Sequence, residues 1–178
     1  MILDWTLSLN FCKACVAVAV GLSQPSSLVG GAFTPNEVLH LPTLRSELYA
    51  IWPSASPKSA FAAQVHKETC ASLRSKKCWS PTAELKTDRE YGFGLGQLTV
   101  TKKFDNFKEA KKLHPSLKDW EWENRYNPVY QLRTMVLMDK FNYGKFSWAE
   151  VDYERMAFSF AAYRGGIVTG KQIGRAHV

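Results

Sequence analysis

Long hydrophobic runs are missing from this sequence of 178 residues. The apolar run Ala14 to Leu22 spans nine residues and is too short to cross a bilayer as a helix. Internal repeats and low-complexity segments are also missing, which excludes solenoid architectures. The length and the 46% of hydrophobic residues fit one domain with one sizeable core.

Motifs for nucleic acids, metals and nucleophilic triads are missing as well. The net charge is +7, but its basic clusters are short and belong to no nucleic-acid module, so we expect no nucleic-acid partner. A basic surface also suits an acidic bacterial envelope. His40, His66 and His114 have no recognisable catalytic or ligand spacing, and we expect neither a metal nor another cofactor.

Cysteine is scarce, and its four residues form two pairs. Cys12 and Cys15 have a Cys-x-x-Cys spacing, which without a second such pair does not indicate zinc. Cys70 and Cys78 bound a short polar loop that a disulfide would clamp in an oxidising compartment. We predict a disulfide between Cys70 and Cys78 if the protein is exported.

Residues 1–32 resemble a secretory signal peptide. Lys13 precedes the short apolar run, and small residues precede a cleavage position between Ala32 and Phe33. We therefore expect export to the periplasm or the extracellular space, with only transient passage through the membrane. The alternative is a retained, weak membrane anchor.

Residues 173–178 look foreign to the rest of the chain. They match what one reading frame of a common sequencing-adapter oligonucleotide would encode. Our hypothesis is a non-native tail after a catalytic domain at 33–172. The natural protein would then continue beyond about Gln172, and the fold would be truncated at its C-terminal end.

Hydrophobic periodicity and capping signals predict a mainly helical domain. Between the second and third predicted helices lie roughly 55 residues that are too irregular for one long helix, so we expect a small irregular or β insertion there. The first predicted helix spans 41–52, and the second starts at Ser56 and Pro57 and runs to about 73. The third spans 129–141. The fourth starts at a capping box at 147–150 and runs to about 163.

Glu68 is the candidate catalytic residue. It follows Phe61 and Val65 along the apolar stripe of the second predicted helix. Desolvation raises the pKa of a carboxyl group, and a general acid that works near neutrality needs a raised pKa. The alternative interpretation is a structural glutamate at the edge of the stripe.

Three segments in order resemble the lytic transglycosylases with a goose-lysozyme-like fold, especially versions carried by phages and mobile elements. They are Glu-Thr at 68–69, Gly-Leu-Gly-Gln at 94–97 and Ala-Tyr-Arg-Gly at 162–165. Segments 67–70, 78–81 and 89–94 are also similar to these versions, and the resemblance covers about residues 33–166. It implies a lysozyme-like helical domain that acts on peptidoglycan glycan strands, and we expect a monomer.

The resemblance also implies a role for each motif. The family glutamate at the position of Glu68 protonates the bond between N-acetylmuramic acid and N-acetylglucosamine, then takes a proton from the muramoyl 6-hydroxyl, which leaves 1,6-anhydro ends. Gly94 and Gly96 would let the backbone approach the sugar, Gln97 would bind its N-acetyl group, and Tyr163 would lie near the carboxylate. By pattern alone, residues 94–97 are a tight turn and Tyr163 is a core residue.

Two positions depart from the family pattern: Gly96 replaces a common Met, and Arg164 replaces a common Asn, whose amide can accept hydrogen bonds as a guanidinium cannot. Glu84, Asp88 and Glu90 could supply a second carboxylate, which would permit water activation and hydrolysis by an endolysin-like muramidase. The other interpretation of these three residues is solvated loop charge.

A glycan-binding module without activity is a further hypothesis. The aromatic side chains Trp79, Trp120 and Trp122 lie in a polar stretch and could grip a glycan strand. The presence of Glu68 favours the enzyme over this alternative. The expected setting is phage lysis or local opening of the wall by a mobile element.

Overall fold

The computed structural model describes residues 33–72 and 75–165, and the side chains in these ranges up to Tyr163. The predicted signal peptide and the adapter-like tail lie outside the described residues. Among the described helices, none combines the length and the apolar character that a membrane span requires.

The described chain is mainly helical and carries one small antiparallel sheet of order β1-β2-β3. This confirms the predicted mainly helical class and the β insertion between the second and third predicted helices. The elements in chain order are α1 (Pro35–Ile51), α2 (Ser59–Thr69), β1 (Glu84–Lys86), β2 (Glu90–Phe93), β3 (Leu98–Thr101), α3 (Asn106–Leu113), two 3-10 turns (Pro115–Leu117 and Trp122–Asn124), α4 (Pro128–Lys145) and α5 (Asp152–Gly165).

The first two helices begin away from their predicted starts. α1 begins at Pro35 because Thr34 and Glu37 form a reciprocal capping box, and Pro42 therefore lies inside the helix. α2 begins at Ser59 without a side-chain cap, so the predicted start at Ser56 and Pro57 is wrong. α2 also ends at Thr69, four residues before the predicted end at 73.

Among the later helices, the predicted α4 is confirmed, the predicted start of α5 is wrong, and α3 was not predicted. α4 contains the predicted helix 129–141 and extends it at both ends, with Asn127 accepting from the Val129 amide at its start. α5 begins at Asp152, so the segment at 147–150 does not cap it. α3 was not predicted, although Asp105 caps it by accepting from the Lys108 amide.

The core consists of two hydrophobic clusters, and α4 contributes to both. The first cluster joins α1, α2, α4 and α5, and the second joins the sheet, α3 and the 3-10 turns to α4. Fully buried members of the first are Leu44, Phe61, Val65, Trp79, Leu95, Leu132, Met135 and Val136, and those of the second include Phe93, Leu117 and Trp120. α4 is therefore the element against which the helical part and the sheet are positioned.

Gln131 connects α4 to three separate loop segments. Its Oε1 accepts from the Leu95 amide at 2.9 Å, and its Nε2 donates to the Pro81 carbonyl at 2.8 Å and to the Arg125 carbonyl at 2.8 Å. Gln131 is only 2% exposed, so these backbone groups have little access to water as a substitute partner. Its amide fixes the sheet and the preceding loop on α4.

We expect Gln131→Leu to lower the free energy of unfolding by about 3 kcal/mol or more, because it leaves one backbone N–H and two carbonyls without their partner. Urea denaturation measures the change. Glu123→Gln, an exposed substitution in the nearby 3-10 turn, is the control and should stay within about 0.5 kcal/mol of the unmodified chain. A loss below about 1 kcal/mol for Gln131→Leu would contradict the role of its amide.

Candidate functional site

A groove of about 620 Å³ lies between the end of α2, the sheet and α5. Its size falls within the range of ligand-binding clefts. Its lining brings together three of the predicted site residues, Glu68, Gln97 and Tyr163, with residues of β1, β2 and β3. The lining residues are Lys67, Glu68, Thr69, Cys70, Ala71, Lys77, Ala83, Glu84, Leu85, Glu90, Gly92, Gln97, Thr99 and Tyr163.

Glu68 lies in the last turn of α2, at the edge of the groove. The residue is partly buried, and its Oε1 atom is shielded from solvent. The negative end of the helix dipole disfavours a negative charge at this position. The position places this carboxyl group within reach of a ligand in the groove.

Tyr163 approaches Glu68 from α5, but its hydroxyl donates to the Gly96 carbonyl at 2.6 Å. Burial raises the pKa of the Tyr163 hydroxyl well above its usual value, and the carboxyl groups of Asp139 and Glu68 raise it further when they are ionised. The phenol therefore stays neutral, and its oxygen remains an acceptor toward the groove. The predicted hydrogen bond from Tyr163 to the sugar or to Glu68 stays a prediction.

The turn at 94–97 joins β2 to β3 and packs inward. Gly94 has φ +79°, and a Cβ atom there would lie 2.4 Å from the Gln131 side chain. A Cβ atom on Gly96 would lie 2.3 Å from the Tyr163 hydroxyl. Both glycines are buried and lie outside the groove lining, so their missing side chains serve internal packing. Their predicted contact with a sugar stays a prediction.

Gln97 follows in the left-handed region, at φ +45°. Its Nε2 donates to the Gly94 carbonyl at 2.8 Å and to the Ala83 carbonyl at 3.2 Å, so both amide hydrogens have partners inside the protein. Its Oε1 lies beside Gly92, 3.1 Å from where a Cβ atom would be. Gln97 can therefore offer the groove an acceptor, whereas its donors hold the turn closed.

The predicted disulfide between Cys70 and Cys78 is present. Beside it, the Thr69 hydroxyl donates to the Val65 carbonyl at 2.7 Å and accepts from the Trp79 amide at 2.9 Å. Trp79 has φ +53°, and these contacts keep its backbone in that conformation. The segment that carries Glu68 is thus fixed on its C-terminal side by one covalent bond and one buried hydrogen bond.

His66 is the third member of the one group of possible metal ligands found in the described part of the chain. Its ring nitrogen and the sulfurs of Cys70 and Cys78 lie within 4.8 Å of one another. The two sulfurs are bonded to each other, so neither is available as a thiolate, the form that binds metals. The group is not a metal centre in this state.

A second acidic position in the groove belongs to Glu84, which the sequence placed in a loop and the structure places on β1. Its Oε1 accepts from the hydroxyls of Tyr126 and Tyr91, and Arg125 donates to the Tyr126 hydroxyl at 2.8 Å. The hydrogen bond from Tyr126, followed by that from Tyr91, lowers the pKa of the Glu84 carboxyl. Glu84 is therefore a fixed, ionised carboxylate.

Of the other two acidic candidates, Glu90 on β2 lines the groove and Asp88 lies in the turn between β1 and β2, outside the lining. The tyrosine partners of Glu84 were missed because they come from β2 and from the segment before α4. Alternation along β2 could have pointed to Tyr91, whereas no local signal pointed to Tyr126.

The predicted aromatic grip on a glycan is wrong for two of its three residues. Trp79 and Trp120 are fully buried, at 0% exposure, and belong to the two core clusters. Trp122 is 38% exposed but is partly covered by Arg125, whose guanidinium carbon lies 4.7 Å from the ring centre. Two buried rings cannot stack on a sugar, so this hypothesis loses the residues on which it depended.

Comparisons with protein-family models, with curated proteins and with solved structures found no match to this chain.

We expect Gly96→Ala to lower the free energy of unfolding by about 1 to 3 kcal/mol, because its Cβ atom would displace the Tyr163 hydroxyl from the Gly96 carbonyl. Thermal or urea unfolding measures the loss, which should exceed that of Tyr163→Phe. The matched control is Gly144→Ala in α4, where an added Cβ atom meets nothing within 4 Å and should stabilise by up to about 1 kcal/mol. Equal stability of the two alanine variants would refute the packing role of Gly96.

Proposed function

We propose that this chain is a lytic transglycosylase with a lysozyme-like helical fold, and that the groove binds a peptidoglycan glycan strand. The observation that carries the proposal is the meeting of Glu68, Gln97 and Tyr163 in one groove. These residues come from three motifs that are separated by tens of positions in the sequence, and the family resemblance implies a site role for all three. A chance resemblance of short motifs gives no reason for them to line one cleft.

In the proposed reaction Glu68 first acts as a general acid. Its proton passes to the glycosidic oxygen between N-acetylmuramic acid and N-acetylglucosamine as the bond to the anomeric carbon breaks. The carboxylate then accepts the proton of the muramoyl 6-hydroxyl, whose oxygen bonds to the anomeric carbon. The products are a free N-acetylglucosamine hydroxyl and a 1,6-anhydro end, and Glu68 regains its proton without water entering.

The surroundings of Glu68 support this cycle. The Oε1 atom is shielded from solvent, which limits competition from water. The disulfide and the Thr69–Trp79 hydrogen bond hold the carrying segment in place, and rigid support is what a general acid needs for alignment. The Gln97 Oε1 atom offers an acceptor for an N-acetyl N–H of the substrate.

The proposed setting is outside the cytoplasm. A disulfide persists in oxidising compartments, so the Cys70–Cys78 bond supports export, as does the signal-peptide-like segment at 1–32. We propose a monomer that acts on the bacterial wall without a cofactor, in phage lysis or in local wall opening by a mobile element. The positive net charge of +7 favours encounter with an anionic envelope.

Purified peptidoglycan incubated with the chain should yield anhydromuropeptides, measured by mass spectrometry. Glu68→Gln should reduce them by about 10²- to 10⁴-fold, because an amide can neither donate the acid proton nor accept one. Glu90→Gln is the matched control, since it removes a carboxylate that lines the same groove on β2. An equal loss in both variants, or full activity of Glu68→Gln, would contradict the assignment of Glu68.

Hydrolysis is a second candidate outcome, and Glu84 is the observation that favours it. Its ionised carboxylate is held by two tyrosine hydroxyls on the wall of the groove, where it could activate a water molecule. A transglycosylase should give anhydro ends that persist in Glu84→Gln. Reducing muramic ends that disappear in both Glu68→Gln and Glu84→Gln would establish a two-carboxylate hydrolase instead.

A further inference from the structure

Asp139 is a carboxyl group buried in the helical core beneath the groove. It lies on α4 and is 0% exposed, and both of its carboxyl oxygens are shielded from solvent. Within residues 33–72 and 75–163, no lysine, arginine or histidine forms an ion pair with it. A buried carboxylate without a cation costs several kcal/mol, so such a group keeps its proton unless something else compensates.

Two neighbouring helices bring Asp139 to the level of the proposed catalytic residues. On α5, the Ser159 hydroxyl donates to the Asp139 carbonyl at 2.6 Å, and Tyr163 follows Ser159 by one helical turn. On α2, the buried Gln64 amide contacts the Asp139 carboxyl, and Glu68 follows Gln64 by one turn. Asp139 therefore lies one layer below Glu68 and Tyr163.

The three acidic groups influence one another electrostatically. Burial raises the pKa of the Asp139 carboxyl well above its usual value, the neighbouring Gln64 amide opposes this, and a negative charge on Glu68 adds to the rise. An ionised carboxylate at either Asp139 or Glu68 would raise the pKa of the Tyr163 hydroxyl. Glu68 is the charged group that acts on Asp139 from α2, and Tyr163 is the titratable group that faces it from α5.

We propose that Asp139 keeps its proton while Glu68 ionises, so that the cluster of Glu68, Asp139 and Tyr163 carries one negative charge at most. The catalytic consequence rests on the proposed function. When Glu68 gives its proton to the glycosidic oxygen, a negative charge forms above Asp139. A neutral Asp139 does not oppose this charge, whereas an ionised one would repel it.

The pH dependence of stability tests the proton on Asp139 without any assay of cleavage. Above about pH 4 an unfolded chain releases the aspartate proton and the folded chain retains it, so rising pH favours unfolding. Asp139→Asn has no such proton. The ratio of the unfolding constant of the unmodified chain to that of Asp139→Asn should therefore rise by up to about tenfold per pH unit, until Asp139 ionises in the folded chain. Asp119→Asn is the control, because it removes one carboxylate at an exposed position and shows how the unfolding constant responds to the loss of surface charge alone.

A ratio that stays constant from pH 4 to pH 8 would overturn the proposal. Should Asp139→Asn fail to fold, the carboxyl carbon resonance of Asp139 in the unmodified chain decides the matter, because protonated and ionised carboxyl groups differ in chemical shift. A resonance of the ionised form at neutral pH would equally overturn it.

Coupling to Glu68 is tested by a double-mutant cycle. Glu68→Gln removes the negative charge that opposes ionisation of Asp139. In chains that carry Glu68→Gln, the ratio of the unfolding constants without and with Asp139→Asn should therefore rise less with pH than it does in chains that keep Glu68. An unchanged rise would show that Asp139 does not sense Glu68. The double-mutant cycle and the pH dependence of stability can both be measured even if the chain cleaves no peptidoglycan. Failure of the proposed function is therefore distinguishable from failure of this inference.

The role in catalysis has its own measurement. Asp139→Asn should form anhydro ends with the same pH profile as the unmodified chain until the pH at which the stability ratio stops rising. Beyond that pH the unmodified chain should lose activity as Asp139 ionises, and Asp139→Asn should keep it. If the pH profiles of activity of Asp139→Asn and the unmodified chain already differ near neutral pH, Asp139 is charged in the working enzyme, which contradicts the proposal.

Discussion

The buried amide of Gln131 is the constraint on which the arrangement of the groove depends. It satisfies three backbone groups that belong to the loop before β1, the turn after β2 and the segment before α4. The first two segments are also joined directly, by the Gly94 amide donating to the Ala83 carbonyl, and Gln131 ties both of them to the segment before α4 and to α4 itself. Because α4 also carries residues of both core clusters, the sheet and the helical part acquire a fixed relative position. The groove is the space that this arrangement leaves between them.

A rigid frame of this kind separates packing from chemistry. Gly94 accommodates Gln131 and Gly96 accommodates Tyr163, so the turn that resembles a substrate-binding motif is first a packing motif. The residues that line the groove include carboxylates, lysines, the Gln97 amide oxygen and the Tyr163 phenol oxygen. A site that holds its polar groups through internal hydrogen bonds needs little reorganisation when a substrate binds, and such preorganisation is the larger part of electrostatic catalysis.

Local signals in the sequence predicted more than half of the helical framework, and their failures have identifiable causes. The spacing of apolar residues correctly predicted α4. This helix contacts both core clusters and therefore carries apolar residues on more than one side. The start of α1 carried a complete capping box at Thr34 and Glu37 that would have found it. The Ser-x-x-Glu pattern at 147–150 had the same form and caps no helix, because the chain turns at Phe146 and α5 begins only at Asp152. A capping pattern allows a helix to start, and tertiary packing decides whether a helix starts there.

Signals from neighbours a few positions away were sufficient to predict the mainly helical class, the tight turn at 94–97 and the disulfide across an eight-residue separation. Which polar and aromatic groups are buried and which line the groove depends on contacts between distant segments. Trp79 and Trp120 became core residues, Glu84 became a fixed carboxylate, and Asp139 came to lie beneath Glu68. Burial and electrostatic coupling depend on partners from distant segments, and no local spacing encodes the distance between two helices that meet only after the chain has folded.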